Sequence, residues 1–223
     1  MRTRRPRAWA LLACALCAVL LSGCAAAVAG VRTPGPGGPV IVTIGDSIMA
    51  GYGLDDGEDW PTQLSSWTGV SVDNLACSGA GFVTVGSCGS SFAGLIPQAV
   101  KDAPTIVIVQ GSDNDVGQSD ADIEAATEKT VDALHRALPK AQLIGLSTLW
   151  DPDEDEPHEI AETSAAVKWA VTAVHGTYVD IGQPLREDPS TLLQDDHEHP
   201  TVAGQHKLLV VIRKELARAG HPL

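Results

Sequence analysis

Five short apolar runs alternate with longer amphipathic segments from Pro39 to the end of the chain. The apolar runs are rich in Val and Ile and cover residues 39–44, 70–76, 105–111, 141–148 and 177–181. Between and after them, helical patterns fall near residues 60–67, 92–101, 122–138, 158–174 and 202–219. Strands that are apolar throughout, separated by helices, are typical of a parallel sheet covered on both faces. This pattern predicts an α/β fold, a doubly wound, flavodoxin-like three-layer sandwich with a five-stranded parallel sheet.

The first 23 residues have the layout of a secretory signal. Four arginines precede thirteen apolar residues, Trp9 to Leu21, and small residues follow. Thirteen residues are too few to cross a bilayer. The segment Leu21-Ser22-Gly23-Cys24 resembles the lipobox of bacterial lipoproteins, which implies cleavage before Cys24 and a lipid on its thiol. A plain signal cut near residues 25–27, or a core helix, is the alternative interpretation.

The signal predicts an exported protein that is lipid-anchored to the outer face of the cell membrane, with secretion as the alternative. Residues 24–38 hold mainly small residues, Gly and Pro, so they are expected to form a flexible linker that carries the lipidated Cys24. The folded domain is then residues 39–223. Its size suits a single core, since about 70% of the unfolded surface of such a chain becomes buried.

The mature domain is strongly acidic. Without Arg2, Arg4, Arg5 and Arg7, 11 of the 15 basic residues remain against 28 acidic ones, so the net charge is −17. Such a surface repels phosphate backbones, and no nucleic-acid partner is expected.

Two cysteines remain in the domain once Cys14 and Cys17 leave with the signal and Cys24 carries lipid. An even pair in an exported protein, Cys77 and Cys88, predicts a disulfide, with two buried free thiols as the alternative. A loop this short would be stabilised by about 2 to 3 kcal/mol.

Polar residues cluster where the predicted strands end. In doubly wound sheets, ligands bind outside the carboxyl ends of the strands. The first strand is followed by Gly45-Asp46-Ser47, the second by Asn74 and then residues 78–81, and the third by residues 111–115. A further polar loop, residues 193–200, precedes the last helix. These segments are expected to meet at one edge of the sheet.

The residue types in these segments suit acyl transfer. A serine hydroxyl becomes a good nucleophile when an imidazole takes its proton, and a carboxylate then fixes the tautomer of the imidazole. The reaction also needs hydrogen-bond donors for the oxygen that becomes negative. Gly79, through its backbone N–H, and Asn114, through its amide, fit that need.

Four motifs carry a resemblance to a known family. GDSIMAGYG, NLACSGAGF, GSDND and DDHEHP resemble the four blocks of the SGNH, or GDSL, hydrolase family, in the order of that family. The resemblance implies that Ser47 is the nucleophile, His199 the base and Asp196 its orienting carboxylate. It also implies an oxyanion hole formed by the Ser47 backbone N–H, Gly79 and Asn114. No cofactor and no metal are implied.

Two features of the motifs leave alternatives. Ser112 stands where the third block of the family has glycine, and the turn is expected to survive because a small residue is kept. In the fourth block Asp195 or His197 could take part instead, but the spacing from Asp196 to His199, with Pro200 next, favours the first pair.

Structural and metal-binding interpretations compete with the catalytic one. Ser47 is also suited to cap a helix, although no capping box supports this. The Asp and His residues of the fourth block, together with His206, are also possible zinc ligands. A zinc site would leave Ser47 and Asn114 without a role.

The resulting expectation is a serine esterase that hydrolyses carboxylic esters through an acyl-enzyme. Short connections without a long lid favour short acyl groups, so the expected partner is a small-molecule or carbohydrate ester. The alternatives are an envelope acyltransferase with the same residues and a non-catalytic module that binds glycan or acyl groups. The sequence leaves the oligomeric state open.

Overall fold

The structure is a computed structural model that describes residues 38–150 and 155–223. The predicted signal segment 1–23, Cys24 and the linker up to residue 37 lie outside this described part.

A five-stranded parallel sheet forms the centre of the domain. Its strands are β1 (Val40–Ile44), β2 (Ser71–Asn74), β3 (Ile106–Gln110), β4 (Gln142–Leu146) and β5 (Thr177–Val179). They lie in the order β2-β1-β3-β4-β5, and every neighbouring pair is parallel. The predicted fold class is therefore confirmed. The strand order reverses at β1, since β2 lies on one side of β1 and β3 to β5 lie on the other. The switch point, where such folds bind ligands, is therefore between β1 and β3.

Seven α-helices surround the described sheet. They are α1 (Ser47–Ala50), α2 (Trp60–Thr68), α3 (Ile96–Asp102), α4 (Asp120–Ala137), α5 (His158–Ala173), α6 (Pro189–Leu192) and α7 (Val202–Arg218). Short 3-10 turns occupy Phe92–Leu95, Asp113–Asp115 and Pro184–Glu187. The five longer helices agree with the apolar periodicity, whereas α1 and α6 are single turns too short to show one. None of the helices in the described part is long and apolar enough to cross a membrane.

Alternate strand residues contribute to two apolar layers, one on each face of the sheet. Ile41, Ile108 and Ile144 point to one side and pack with residues of α1, α2 and α7. Val42 and Val107 point to the other side and pack with residues of α3, α4 and α5. Each large apolar side chain buried in this way contributes about 1.5 to 3 kcal/mol before the entropic cost. The two covered faces explain why the strands are apolar throughout.

One buried amide joins the last helix to the first two. Gln205 on α7 is fully buried, and its side-chain carbonyl accepts a hydrogen bond from Trp60 N at 3.0 Å. Its amide donates to Ile48 O at 2.7 Å. Because the 193–200 loop leads directly into α7, this contact places that loop beside α1.

Candidate active site

The Ser47 turn begins immediately after β1. Asp46 caps α1, because its carboxylate accepts a hydrogen bond from Ile48 N at 3.0 Å. Ser47 is the first residue of the helix and is buried. The alternative in which Ser47 itself is the cap is therefore wrong. Gly45 suits this position, because a Cβ atom there would lie 2.9 Å from Met49 Cβ, closer than real Cβ atoms approach.

Asp196 and His199 contact each other within the loop before α7. Asp196 Oδ2 lies 2.8 Å from His199 Nδ1. The other carboxylate oxygen accepts the backbone N–H groups of His199 at 3.0 Å and Glu198 at 3.1 Å. Partial burial raises the pKa of Asp196, but these hydrogen bonds outweigh burial and hold the pKa below its ordinary value. Asp196 thus stays ionised and fixes the imidazole orientation.

The competing residues of the same loop occupy other positions. Asp195 is exposed. His197 has a left-handed backbone, with φ of 61°, and its N–H donates to Gln194 O at 3.0 Å. The structure thus pairs Asp196 with His199, and the catalytic role of this pair stays a prediction.

Gly79 and Asn114 lie in neighbouring loops. The turn around Gly79 is closed by the hydrogen bond from Ala80 N to Cys77 O at 2.9 Å. Gly79 has φ of 76°, a conformation that side-chain-bearing residues rarely adopt. The Asn114 amide lies 3.4 Å from Ala80 O and 2.9 Å from Ser112 Oγ. The structure therefore brings the two predicted oxyanion donors to adjacent loops.

Ser112 stands where the third block of the family that the motifs resemble has glycine, and the backbone there accommodates serine. Its φ of −118° is extended and demands no glycine. Its hydroxyl donates to Ala80 O at 2.9 Å and accepts the Asn114 N–H at 3.1 Å. Serine therefore stabilises the turn that presents Asn114.

Asp115 is a buried carboxylate that joins the two oxyanion loops. It is fully buried and accepts three backbone N–H groups, from Phe82 at 2.7 Å, Val83 at 3.1 Å and Thr84 at 3.0 Å. The Thr84 hydroxyl in turn donates to Asn114 O at 2.8 Å. Sequence reasoning missed this role, although the last residue of GSDND was a possible signal.

The predicted disulfide is present and begins beside the Gly79 turn, at Cys77. Cys77 and Cys88 are bonded, with their Cα atoms 5.9 Å apart. Ser87 N also donates to Ser78 O at 2.8 Å, within the loop that the disulfide closes.

Tyr52 links the Ser47 turn to the His199 loop. Its N–H donates to Ser47 O at 3.0 Å, and its carbonyl accepts from Gln194 Nε2 at 2.7 Å. Its ring centroid lies 4.5 Å from that of His199. Among the described residues, the His199 ring bonds to Asp196, and no hydrogen bond joins it to the Ser47 hydroxyl. Catalytic hydrogen bonds are often long in free enzymes and shorten when substrate binds.

Three carboxyl groups from three elements lie near this edge. Burial raises the pKa of Asp46, and hydrogen bonds such as that from Ile48 N offset this in part. Burial, followed by the charges of Asp46 and Glu198, raises the pKa of Asp113 to about 8. Asp113 Oδ1 also lies 3.3 Å from the Asn114 amide. The sequence did not single out Asp113, because its environment depends on residues far away in the chain.

Asn74, which also follows a strand, has a structural role. Its side-chain oxygen accepts the Thr43 hydroxyl at 3.0 Å and Ala76 N at 3.1 Å. Its amide donates to Met49 O at 2.9 Å and Asp59 Oδ1 at 3.1 Å. These contacts join β2 to β1, α1 and the start of α2.

Across residues 38–150 and 155–223, no group of three or more His, Cys, Asp or Glu side chains is placed to hold a metal ion.

Comparison with known protein families gives one match that covers most of the domain. The GDSL-like Lipase/Acylhydrolase family matches residues 43–207, which is more than half of the chain. The match includes the Ser47, Gly79, Asn114 and His199 motifs. No curated protein sequence matches the chain.

Solved structures share the fold at low sequence identity. The psychrotrophic esterase EstA from Pseudoalteromonas sp. is 16% identical over 81% of this chain and 97% of its own, with a TM-score of 0.65. A family two carbohydrate esterase from Clostridium thermocellum is 17% identical over 85% of this chain and 66% of its own, with a TM-score of 0.66. The salicylyl-acyltransferase SsfX3 from a tetracycline biosynthetic pathway is 20% identical over 82% of this chain and 55% of its own, with a TM-score of 0.63. At these identities the comparison shows the fold alone.

Proposed function

This chain belongs to the GDSL-like lipase/acylhydrolase family, and from that premise we propose that it is a serine esterase that hydrolyses carboxylic esters through an acyl-enzyme. The observation that carries the proposal is the Asp196–His199 pair, at 2.8 Å, in the loop that Tyr52 connects to the Ser47 turn. A carboxylate-oriented imidazole beside a serine is the arrangement that activates a hydroxyl for acyl transfer.

The proposed reaction begins with attack of Ser47 Oγ on the ester carbonyl. His199 Nε2 accepts the serine proton, while Asp196 accepts a hydrogen bond from Nδ1 and stabilises the positive imidazolium. The carbonyl oxygen becomes negative and is stabilised by the Gly79 N–H, the Asn114 amide and the Ser47 N–H. His199 then passes its proton to the leaving alcohol.

Water completes the cycle. It attacks the acyl group on Ser47, His199 takes a proton from the water, and collapse of the second tetrahedral intermediate returns this proton to Ser47 Oγ. These steps use groups of the chain and water, so the proposal includes no cofactor and no metal.

A short acyl group on a small molecule or a carbohydrate is the proposed substrate. The absence of a long lid insertion from the sequence supports a short acyl chain, and the fold similarity to an esterase and a carbohydrate esterase supports an ester substrate. Rates across acetate, butyrate, octanoate and palmitate esters of one alcohol test this. We expect a decline with acyl length, and a preference for long chains would contradict the substrate class.

Acyl transfer to an acceptor is the second candidate, favoured by the similarity to the salicylyl-acyltransferase SsfX3. The same residues form the acyl-enzyme in both reactions, and only the attacking group differs. Product analysis with a sugar or alcohol acceptor separates them, because a transferase forms the new ester in excess of free acid.

We further propose that the protein is exported and anchored through lipid on Cys24. The lipobox-like segment Leu21–Cys24 supports this. In the producing cell, Cys24→Ser should release the protein from the membrane fraction or block its processing, and unchanged fractionation and mass would contradict lipidation.

Replacement of Ser47 by alanine tests the central step. Hydrolysis of 4-nitrophenyl acetate should fall by about 10³-fold or more, since the nucleophile is lost while the fold stays intact. Ser66→Ala, an exposed serine on α2, is the matched control and should keep full activity. Unchanged hydrolysis by a folded Ser47→Ala protein would refute the proposal.

A further inference from the structure

Tyr52 presents an aromatic face beside the candidate base. Its side chain is 55% exposed, although His199 next to it is only 8% exposed. The two ring centroids are 4.5 Å apart with an interplanar angle of 39°. One part of the Tyr52 ring therefore covers the imidazole and another part remains open to solvent.

The backbone of Tyr52 is held by both sides of the site. The Tyr52 N–H donates to Ser47 O at 3.0 Å, and Gln194 Nε2 donates to the Tyr52 carbonyl at 2.7 Å. Gly51 and Gly53, on either side, have φ of 71° and 80°, so a side chain at these positions would strain the backbone. Gly53 also lies against Gln194, because a Cβ atom there would be 2.5 Å from the amide oxygen. The backbone that carries the ring is thus held in place, and the contact with the His199 ring orients the side chain.

The chemistry of the proposed reaction decides which part of a substrate meets Tyr52. The oxygen of the leaving alcohol must come within about 2.6 to 3.2 Å of His199 Nε2 to receive its proton. Atoms bonded to that oxygen then lie beside the imidazole, on which Tyr52 packs. The carbonyl oxygen faces the donors of Gly79 and Asn114 in other loops. The alcohol part is therefore a neighbour of the exposed ring.

We propose that Tyr52 is the binding platform for the alcohol part of the substrate, and that this alcohol carries a ring with a flat face, as in a sugar. This inference rests on the proposed esterase function and names the leaving group of that reaction. Aromatic side chains are large, rigid surfaces, and a pair of stacked aromatic rings contributes a factor of about three to ten, which we take as the scale for a ring packed on Tyr52. Tyrosine also keeps a hydroxyl at its edge for polar groups of such a ring.

Two acetate esters with and without a ring test the platform. Methyl 6-O-acetyl-glucoside and 2-methoxyethyl acetate share the acetyl group and a primary alcohol, but only the first has a ring. Tyr52→Ala should lower kcat/KM for the glucoside about threefold to tenfold more than for the open-chain ester, mainly through KM. Tyr52→Phe should retain the preference, and Tyr52→Leu, which keeps apolar bulk without a flat face, should lose it.

The control variant is Trp169→Ala, which removes another exposed aromatic ring from α5 and should leave the preference unchanged. The pH profile of kcat/KM should be the same in the wild-type protein and in Tyr52→Leu. Equal losses for both esters, or a displaced pH profile, would overturn the inference, since Tyr52 would then only support His199. These outcomes differ from a failure of the proposed function, in which the Ser47→Ala protein would still hydrolyse both esters.

Discussion

The two halves of the candidate site are stabilised in different ways. The oxyanion half is the Gly79 loop with the turn after β3, and contacts between residues about 30 positions apart hold it together. Asp115 accepts three N–H groups from residues 82–84, and Ser112 donates to Ala80 O. The base half is the 193–200 loop, where Asp196 binds its own neighbours Glu198 and His199.

This difference matches the chemical demands on each half. Stabilisation of an oxyanion requires donors that are already in place, because reorientation during the reaction would cost free energy. The base requires one tautomer and one orientation, which a single carboxylate supplies. A change at Asp196, whose hydrogen bonds stay within the loop, should therefore affect the chemical step with little effect on folding. A change in the oxyanion half should affect both.

The largest effect is expected for Asp196→Asn. An asparagine can still accept the backbone N–H groups, but its amide favours the imidazole tautomer that carries the proton on Nε2. We expect kcat for an aryl acetate to fall about 10⁴-fold. The free energy of unfolding should change by less than about 1 kcal/mol, because the Asp196 side chain is 42% exposed. Asp195→Asn is the matched control. A large loss of stability with little loss of rate would contradict the comparison, since Asp196 would then serve folding rather than the chemical step.

Asp115→Asn tests the oxyanion half. Its amide would face backbone N–H groups, leaving buried donors unpaired, which costs about 1 to 3 kcal/mol of stability. A shift of the oxyanion donors by about 1 Å should lower kcat about 10²-fold, with a smaller change in KM. Urea unfolding and steady-state kinetics measure both quantities, with the surface variant Asp132→Asn as control. An effect on stability alone would show that the buried carboxylate does not position the donors.

Removal of the disulfide should lower the stability of the protein and change its rate of hydrolysis only slightly. Replacement of Cys77 and Cys88 by serine should lower the free energy of unfolding by about 2 to 3 kcal/mol, since the unfolded loop regains its freedom. The hydrogen bonds of Asp115 and Ser112 remain, so kcat should fall less than tenfold. Loss of all activity in a folded double variant would mean that the covalent link, rather than the hydrogen bonds, sets the oxyanion geometry.

The last prediction concerns Asp113 and the pH dependence of stability. Burial and the nearby charges of Asp46 and Glu198 raise its pKa to about 8, so the folded protein binds its proton more tightly than the unfolded chain. This contribution to stability is complete below the unfolded pKa, about 4, and is lost as pH rises towards 8. Asp113→Asn should therefore raise Tm at pH 8.5 relative to wild type, with a smaller gain at pH 5. An equal shift at both values would contradict the assignment.

Regular elements and motif residues were predictable from the sequence, because they depend on local patterns. The apolar runs located all five strands, and the four motifs placed Ser47, Gly79, Asn114 and His199 at the strand ends or before the last helix. Their catalytic roles remain predictions. The interaction of Asp196 with His199 was also predictable, since the two are three residues apart.

Contacts between distant segments were not predictable. Asp115 binds residues more than 30 positions earlier, and the contact between the Tyr52 and His199 rings depends on the packing of α7 on α1 and α2. Asn74 follows a strand, as the candidate site residues do, yet its hydrogen bonds hold β2 in place. Asp46, rather than Ser47, caps α1, a choice between adjacent polar residues that depends on backbone geometry.

A structure of the protein after reaction with a fluorophosphonate ester tests the central claim most directly. The account predicts a single covalent bond from phosphorus to Ser47 Oγ, with the phosphoryl oxygen about 2.7 to 3.1 Å from Gly79 N and Asn114 Nδ2. His199 Nε2 should lie within hydrogen-bonding distance of Ser47 Oγ. Modification of a different residue, or a phosphoryl oxygen that points away from both donors, would contradict it.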